Sequence, residues 1–301
     1  MHGRTGEGRV DPIQHDVIVR TLDRRFTLRA PDRSVYEAIR YLDCTPDISG
    51  PAPREVTIAV ESGRDYYRIV QDGIDIRQVV GTRAVVEYLH LLLFQASIED
   101  RPRTALLHAA CLRRGRQRLL LAGSKCAGKT TFALRLLQSG YEIEGDEHVF
   151  IDTSGVIARP RGCRVKASAL PILTEMAETI GRAPSYTDDA NNKIFNVDPR
   201  MLGSTWRIEP GEVDVVIVLH PNHGGYSSIR PLPSTAMVQL LMAEIGLRET
   251  ARGASIAALA KLAMRAKAFD LSLGDHSSAL RCVELALDGQ DGDRGAVELH
   301  R

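Results

Sequence analysis

The sequence of 301 residues predicts an α/β fold, in which a mixed sheet with flanking helices is preceded by a small, mainly β N-terminal lobe. The first reason is a buried-strand pattern at Leu119 to Leu121 that runs directly into a glycine-rich loop and a helix-forming segment. The second is Val213 to Leu219, the most apolar strand-like run, which is typical of a central strand. The third is the alternation of apolar and polar residues between 13 and 80, which is typical of paired strands.

The N-terminal lobe is expected between residues 13 and 83, after a polar, glycine-rich segment at 1–12 that is predicted to be disordered. The predicted elements are strands at Val17 to Arg20, Phe26 to Leu28, Val56 to Val60 and Tyr66 to Val70, and a short helix at Ser34 to Leu42. The lobe has no residues that indicate chemistry. We interpret it as a docking or dimerising module, which leaves a homo-oligomer open.

A catalytic domain is predicted at residues 84–288, followed by a polar tail at 289–301. The apolar period of Ala84 to Ser97 predicts a core helix. Ala105 to Leu112 is predicted to be one strand that pairs as a hairpin with the Leu119 strand. This hairpin would bring His108 near the glycine-rich loop.

Strands and helices alternate after the loop. A short strand is predicted at Tyr141 to Glu144, and the chain continues extended at Val149 to Asp152. The polar segment Arg182 to Pro199 is expected to be a loop, either one that closes on substrate or a solvated connector. The remaining predictions are helices at Leu170 to Ile180, Thr235 to Glu244, Ser255 to Ala268 and Ser277 to Leu287, and an edge strand at Phe269 to Leu273.

The glycine-rich loop matches every fixed position of the phosphate-binding pattern G-x-x-x-x-G-K-[ST]. Its residues are Gly123, Ser124, Lys125, Cys126, Ala127, Gly128, Lys129, Thr130 and Thr131. The backbone N–H groups of such a loop surround the phosphates of a nucleoside triphosphate. Lys129 is placed to reach the β- and γ-phosphates, and the Thr130 hydroxyl to bind Mg²⁺. The alternative is a glycine-rich strand-to-helix turn with a surface lysine, which leaves the Lys129-Thr130 spacing unexplained.

An acidic pair, Asp146-Glu147, follows the strand after the first helix of this domain. Nucleotide enzymes use carboxylates in such positions to bind magnesium or to accept a proton from the attacking group. Carboxylates also cap turns, and this is the alternative for the pair. Its position downstream of a phosphate-binding loop favours the functional interpretation.

Composition argues against several classes of function. The formal net charge of +1 provides no general attraction for nucleic acid or for an acidic membrane. No apolar run is long enough to span a bilayer, and the N-terminus lacks the apolar core of a signal peptide. Five cysteines without C-x-x-C spacing and nine histidines without metal-ligand spacing indicate reduced thiols in a cytoplasm rather than disulfides or a zinc site.

The order of these motifs resembles the catalytic domain of the HPr kinase/phosphorylase family and its HPr kinase-like relatives. The resemblance rests on Leu107-His108-Ala109-Ala110, the loop from Gly123, Gly140-Tyr141 and Asp146-Glu147. It extends from about residue 84 to 245 and is looser after the acidic pair, where Arg159-Pro160-Arg161 and Asn192-Lys193 are also similar.

The resemblance implies a P-loop kinase core that transfers the γ-phosphoryl group of ATP to a hydroxyl, with Mg²⁺ as a cofactor. Asp146 would accept the proton of that hydroxyl, and Glu147 would bind the metal directly or through water. His108 would lie beside Asp146 and orient it. Lys166 or Lys193 would neutralise charge on the transferring group. Catalysis of this kind depends mainly on positioning and charge stabilisation.

The acceptor is a separate question, because the sequence lacks the Glu-x-Arg-Gly-Leu-Gly segment of true HPr kinases. The chain is more similar to relatives from peptide or small-molecule pathways, some of which phosphorylate a serine of a peptide. We therefore expect the acceptor hydroxyl on a peptide, a protein or a small molecule. The alternative is a nucleotide-binding switch or assembly subunit with little or no phosphoryl transfer.

Overall fold

The computed structural model of the protein describes residues 15–188, 190–246 and 252–288 and has a mixed α/β fold with several sheets. The tails predicted at 1–12 and 289–301 lie outside the described residues. None of the described helices is both long and apolar enough to cross a membrane. All five cysteines are free thiols.

The N-terminal part is mainly β, as predicted. Its strands are β1 (His15–Arg20), β2 (Arg24–Ala30), β3 (Asp47–Ile48), β4 (Arg54–Ser62), β5 (Tyr67–Gln71) and β6 (Ile74–Val79). Five of them form a sheet in the order β1-β2-β4-β5-β6, in which β2 and β4 run parallel and the other neighbours antiparallel. Along β4 the buried residues are Val56, Ile58 and Val60, so alternate side chains face the core.

Seven α-helices lie in the described residues, besides three short 3₁₀ helices at Arg40–Leu42, Ala167–Ala169 and Pro199–Leu202. The α-helices are α1 (Arg33–Ile39), α2 (Gly81–Glu99), α3 (Lys129–Gln138), α4 (Ala177–Gly181), α5 (Ser234–Ala243), α6 (Arg252–Arg265) and α7 (His276–Asp288). The first begins where the Asp32 side chain accepts a hydrogen bond from the Val35 N–H. In α2 the buried positions Val85, Leu89 and Leu93 recur on one face, which explains the predicted core helix.

A six-stranded sheet forms the centre of the molecule. The strands after α2 are β7 (Ala105–Leu107), β8 (Ala109–Arg114), β9 (Gln117–Ala122), β10 (Glu142–Gly145), β11 (Val149–Asp152), β12 (Gly155–Ala158), β13 (Cys163–Lys166), β14 (Ser185–Thr187), β15 (Lys193–Val197), β16 (Arg207–Ile208), β17 (Val215–Pro221), β18 (Ser228–Pro231), β19 (Ile245–Gly246) and β20 (Lys267–Leu273). The central order is β10-β8-β9-β17-β20-β18, with β9, β17 and β20 parallel. The prediction of a central strand near Val213 to Leu219 is confirmed by β17.

Three smaller sheets complete the fold, in the orders β12-β11-β7-β19, β13-β15-β14 and β16-β3. The last of these pairs a strand of the N-terminal part with one from the rest of the chain, in parallel.

The two faces of the central sheet belong to two hydrophobic clusters. Leu119 and Leu121 face the cluster that contains α3 and α7 residues, whereas Leu120 and Ala122 face the other cluster. That second cluster also contains Phe26 and other residues of the N-terminal sheet. The N-terminal part is therefore packed into the same apolar interior as one face of the central sheet.

Several predicted elements differ from the structure. The strand predicted at Ala105 to Leu112 is broken at His108, because β7 and β8 belong to different sheets. The strand predicted at the edge near Phe269 is β20, which lies inside the central sheet between β17 and β18. It is an internal strand because it pairs with β17 in parallel on one edge and with β18 antiparallel on the other.

The predictions for two segments between residues 167 and 199 were also wrong. Leu170 to Ile180 forms a series of turns followed by the short helix α4. The buried residues Leu173, Met176 and Ile180 have the spacing of one helix face, but isolated turns can bury residues at the same spacing. The segment predicted as a loop at Arg182 to Pro199 contains the hairpin of β14 and β15. Its polar turn residues concealed the apolar strand that follows them.

Candidate functional site

The Gly123–Thr131 loop leads from β9 into α3, whose first three residues are its last three, and it lies beside the parallel strand β17. Two of its glycines have backbone conformations that L side chains rarely adopt, with φ +145° at Gly123 and +92° at Gly128. A Cβ atom on Gly123 would lie 2.7 Å from the carbonyl oxygen of Leu219. Gly128 is the N-cap of α3, whose first N–H groups have no partner within the helix. The loop therefore turns a buried strand directly into a helix N-terminus.

Lys129 is the first residue of α3 and lies against this loop. Its Nζ donates to the carbonyl oxygens of Gly123 at 2.5 Å and Ser124 at 3.0 Å, and the residue is only 7% exposed. Burial lowers the pKa of its ammonium group, while the carboxylates of Glu244 and Asp146 oppose that shift. A buried ammonium beside free helix N–H groups is the chemistry that binds polyphosphate.

Asp146 follows β10 and faces the loop. Its Oδ2 accepts a hydrogen bond of 2.8 Å from the Thr130 hydroxyl, and its Oδ1 is buried with no hydrogen-bond partner among the described residues. Burial raises the pKa of this carboxyl to about 6 and nearby Glu147 adds to the rise, although the Thr130 hydrogen bond, the Arg164 backbone N–H and Lys129 oppose it. The result is a carboxylate that is ready to accept a proton near neutral pH.

Glu147 faces two guanidinium groups. It is bonded to Arg161, and its Oε1 lies 3.1 Å from Nη1 of Arg164. Burial alone would raise its pKa, but these two arginines outweigh burial and lower the pKa to about 2. Its backbone has φ +90°, a strained conformation for a residue with a side chain. Glu147 is therefore held as a permanent anion by its arginine partners.

His108 is paired with Glu244, whereas the sequence analysis placed it beside Asp146. Its Nδ1 lies 3.4 Å from Oε2 of Glu244, and its backbone N–H donates to the Glu244 carbonyl at 2.9 Å. The His108 and His148 rings lie 6.0 Å apart between centroids. Burial, and then the Lys129 charge, lower the pKa of His108. The contact with Glu244 arises because β7, which ends just before His108, pairs with β19, which begins just after Glu244.

Glu244 was missed by the sequence analysis. It follows α5, and the next residue, Ile245, pairs with Leu107 across β19 and β7. This pairing brings its carboxylate to His108, and among charged groups Glu244 has the largest effect on the pKa of Lys129. No local motif signals such a residue, since its position depends on strands that are far apart in sequence.

The two lysines predicted to contact phosphate have different surroundings. Nζ of Lys166 lies 3.7 Å from the sulfur of Cys126 at the exposed tip of the loop, so this lysine is beside the predicted site. Nζ of Lys193 lies 4.9 Å from the centroid of the Phe195 ring. The two lysines lie on paired strands, β13 and β15, with Lys166 opposite Ile194.

The donor set fits a magnesium ion that is held mainly by phosphate and water. No group of three or more His, Cys, Asp or Glu side chains suited to a metal is present in the described residues. Mg²⁺ at nucleotide sites needs only one or two protein ligands besides phosphate oxygens and water. The Thr130 hydroxyl meets this need better than Glu147, because both Glu147 oxygens already contact arginines.

No protein-family model matches the chain, and no curated protein matches it significantly. Among solved structures, it is similar to the Hpr(Ser) kinase/phosphatase from Coxiella burnetii, with 12% sequence identity and a TM-score of 0.30. The match covers 62% of this chain and 94% of that chain. With so low an identity and TM-score, the similarity does not indicate a function for this chain. The function is therefore inferred from the geometry of the site.

Proposed function

We propose that the protein is an ATP-dependent kinase that transfers the γ-phosphoryl group to a hydroxyl of a peptide, a protein or a small molecule. A serine hydroxyl is the expected acceptor in a peptide or protein. The observation that carries the proposal is the 2.8 Å hydrogen bond from Thr130 of the loop to the buried Asp146. It joins the two motifs that the sequence suggested independently.

The loop would bind the triphosphate of ATP. Its backbone N–H groups and the Lys129 ammonium would neutralise phosphate charge. The Thr130 hydroxyl gives its hydrogen to Asp146, so the lone pairs of its oxygen remain for a metal. Mg²⁺, when bound there, would stabilise the charge on the phosphate oxygens. Lys166, beside the loop tip, would add a positive charge.

Asp146 would accept the proton of the attacking hydroxyl. Its Oδ1 has no partner among the described side chains and backbone groups, and its pKa of about 6 leaves the carboxylate mostly ionised at neutral pH. A base with a pKa near the working pH combines availability with proton affinity. His108 would act through Glu244, which it contacts and whose carboxylate also affects the Lys129 charge.

The test is transfer of labelled γ-phosphate from ATP, with Mg²⁺, to candidate peptides and small alcohols. We expect Asp146→Asn to lower transfer by about 10²-fold or more while nucleotide binding is retained, because a general base contributes about this much. The matched control is Asp65→Asn, an exposed turn residue, which should transfer like the wild type.

Tight ATP binding without transfer to any acceptor would contradict the kinase proposal and favour the nucleotide-binding switch. Equal transfer by wild type and Asp146→Asn would remove the role given to the base. The five free thiols are typical of a reducing compartment, and we therefore propose that the reaction takes place in the cytoplasm.

A further inference from the structure

A cavity lies between the N-terminal sheet and the segment that links β12 to β13. The cavity has an open mouth, and its volume open to the centre of a water-sized molecule is about 40 Å³. Val19, Leu42 and Leu93 make part of its wall apolar, and Arg159 and Arg161 line it with positive charge. The cavity is lined by residues other than those of the Gly123–Thr131 loop, Asp146 and Glu147.

Arg159 is the unusual residue of this wall. It is 6% exposed, and its Nε and Nη1 are buried without a hydrogen-bond partner in the described part of the chain. Its Cζ lies 4.9 Å from the centroid of the Phe94 ring. A cation–π contact offsets only part of the cost of burying a guanidinium ion. Burial lowers the pKa of Arg159 to about 10, which still leaves it charged at neutral pH.

The surroundings do not balance this charge. Arg161 and Arg164 are both bonded to Glu147, so three guanidinium groups share one carboxylate. His90 lies 3.2 Å from Nη2 of Arg161 and is neutral at pH 7, because burial and then Arg161 lower its pKa to about 4. The cavity therefore carries an excess of positive charge that its own walls do not neutralise.

We propose that this cavity binds an anionic carboxylate or phosphate group of a small molecule. A buried charge without a partner is strongly destabilising, and an oxyanion would supply both the missing charge and acceptors for the guanidinium N–H groups. The apolar wall would hold the carbon part of the ligand. Binding here does not depend on phosphoryl transfer. The site nevertheless adjoins the proposed kinase site, because Arg161 contacts both the cavity and Glu147.

Isothermal titration with inorganic phosphate and, separately, with succinate tests the proposal. Both titrations use the Lys129→Ala variant, because anion binding at the Gly123–Thr131 loop is expected to be weakened in it. Its anion affinity is compared with that of the double variant Lys129→Ala, Arg159→Met. We expect at least one anion to bind the first protein and to bind the second about tenfold or more weakly. The preferred anion then identifies the ligand group as phosphate or carboxylate.

The matched control is Arg77→Met in the same background. Arg77 also lies over an aromatic ring, that of Tyr88 at 5.9 Å, but it is exposed on β6. We expect it to leave anion binding unchanged. Failure of both anions to bind, or equal binding with and without Arg159→Met, would overturn the proposal.

Thermal unfolding without added anion gives an independent readout. Arg159→Met removes an uncompensated buried charge and keeps an apolar side chain of similar length over Phe94, so we expect its Tm to rise. A purely structural role for Arg159 predicts a lower Tm instead. Arg159→Lys keeps the charge without the planar fork, and it should weaken anion binding without raising Tm. A lower Tm in Arg159→Met, or unchanged binding in Arg159→Lys, would contradict the proposal.

Discussion

At the scale of single residues, Asp146 combines three properties that seldom occur together in a structural carboxylate. It is 2% exposed, one oxygen has no partner among the described residues, and the other accepts from the loop hydroxyl of Thr130. Burial makes the charged form costly, which explains the raised pKa. Burying the Asp146 carboxylate lowers the stability of the folded protein, and a catalytic role would explain why such a group is present.

The pH dependence of transfer tests this role. With a pKa of about 6, Asp146 is ionised above that pH and protonated below it, so a base role predicts a loss of activity of about tenfold per pH unit below pH 6. The measurement is kcat/KM from pH 4.5 to 8.5. His108→Gln provides the control, because the pKa of His108 is lowered and its removal should leave the acid limb in place. A flat profile through pH 6, or an acid limb that disappears in His108→Gln, would contradict the assignment.

Motifs with fixed spacing made it predictable from sequence that Asp146 lies near Lys129 and Thr130, because a loop and the strand after its helix are local features. Glu244 was not predictable in this way. Its place beside His108 depends on pairing between β19 and β7, whose residues lie more than a hundred positions apart. The contacts of Glu147 with Arg161 and Arg164 were also not predictable from sequence. They follow from the path of the chain from β12 into β13.

At the scale of elements, the turn from β9 into α3 depends on Gly123. Alanine there would combine a left-handed φ with a Cβ atom 2.7 Å from the Leu219 carbonyl oxygen. Gly50 is a matched control, since its φ is +148° and a Cβ atom on it would meet nothing within 4 Å. We expect Gly50→Ala to lower Tm by a few degrees, about what the backbone strain alone costs.

Gly123→Ala should lower Tm further and weaken ATP binding about tenfold or more, because the loop must move away from β17. Thermal unfolding and isothermal titration measure the two effects. Equal behaviour of Gly123→Ala and Gly50→Ala would show that the close approach to Leu219 is unimportant.

Element types were predictable where the pattern was long and regular. In β4 alternate residues from Val56 to Val60 are buried, and in β17 the run Val215 to Leu219 is buried throughout, so both patterns favour strands. The break at His108 was hidden, because both β7 and β8 are apolar and nothing local marks a change of sheet. The hairpin of β14 and β15 was concealed by a polar turn that is longer than β14 and as long as β15.

At the scale of the whole molecule, the N-terminal sheet and one face of the central sheet share a hydrophobic cluster. Ion pairs between Arg24 and Asp100 and between Arg101 and Asp23 join β2 and its turn to the end of α2. Burial of a shared interior favours cooperative unfolding. The sequence predicted the β-rich lobe and its neighbouring domain, but the shared interior is a tertiary property that patterns along the chain do not encode.

Phe26→Ala tests this cooperativity, since Phe26 is fully buried in the N-terminal sheet. We expect the midpoint of thermal unfolding to fall by about 5–15 °C, the usual effect of removing a buried aromatic side chain. The fluorescence of Trp206, the single tryptophan, reports on the part of this shared cluster next to the central sheet, where its Nε1 donates to the Glu144 carbonyl of β10. Far-UV circular dichroism and this fluorescence should shift together. A lower midpoint by circular dichroism with an unchanged Trp206 transition would indicate separate unfolding units.

The central claim is that the Gly123–Thr131 loop binds a nucleoside triphosphate, and isothermal titration of ATP with Mg²⁺ into wild type and Lys129→Ala tests it most directly. Because Lys129 provides the only ammonium buried in this loop, its loss should weaken binding by about ten- to a hundredfold. Lys267→Ala, at an exposed position on β20, should bind like the wild type. Unchanged affinity in Lys129→Ala, or no binding of ATP to the wild-type protein, would contradict the account.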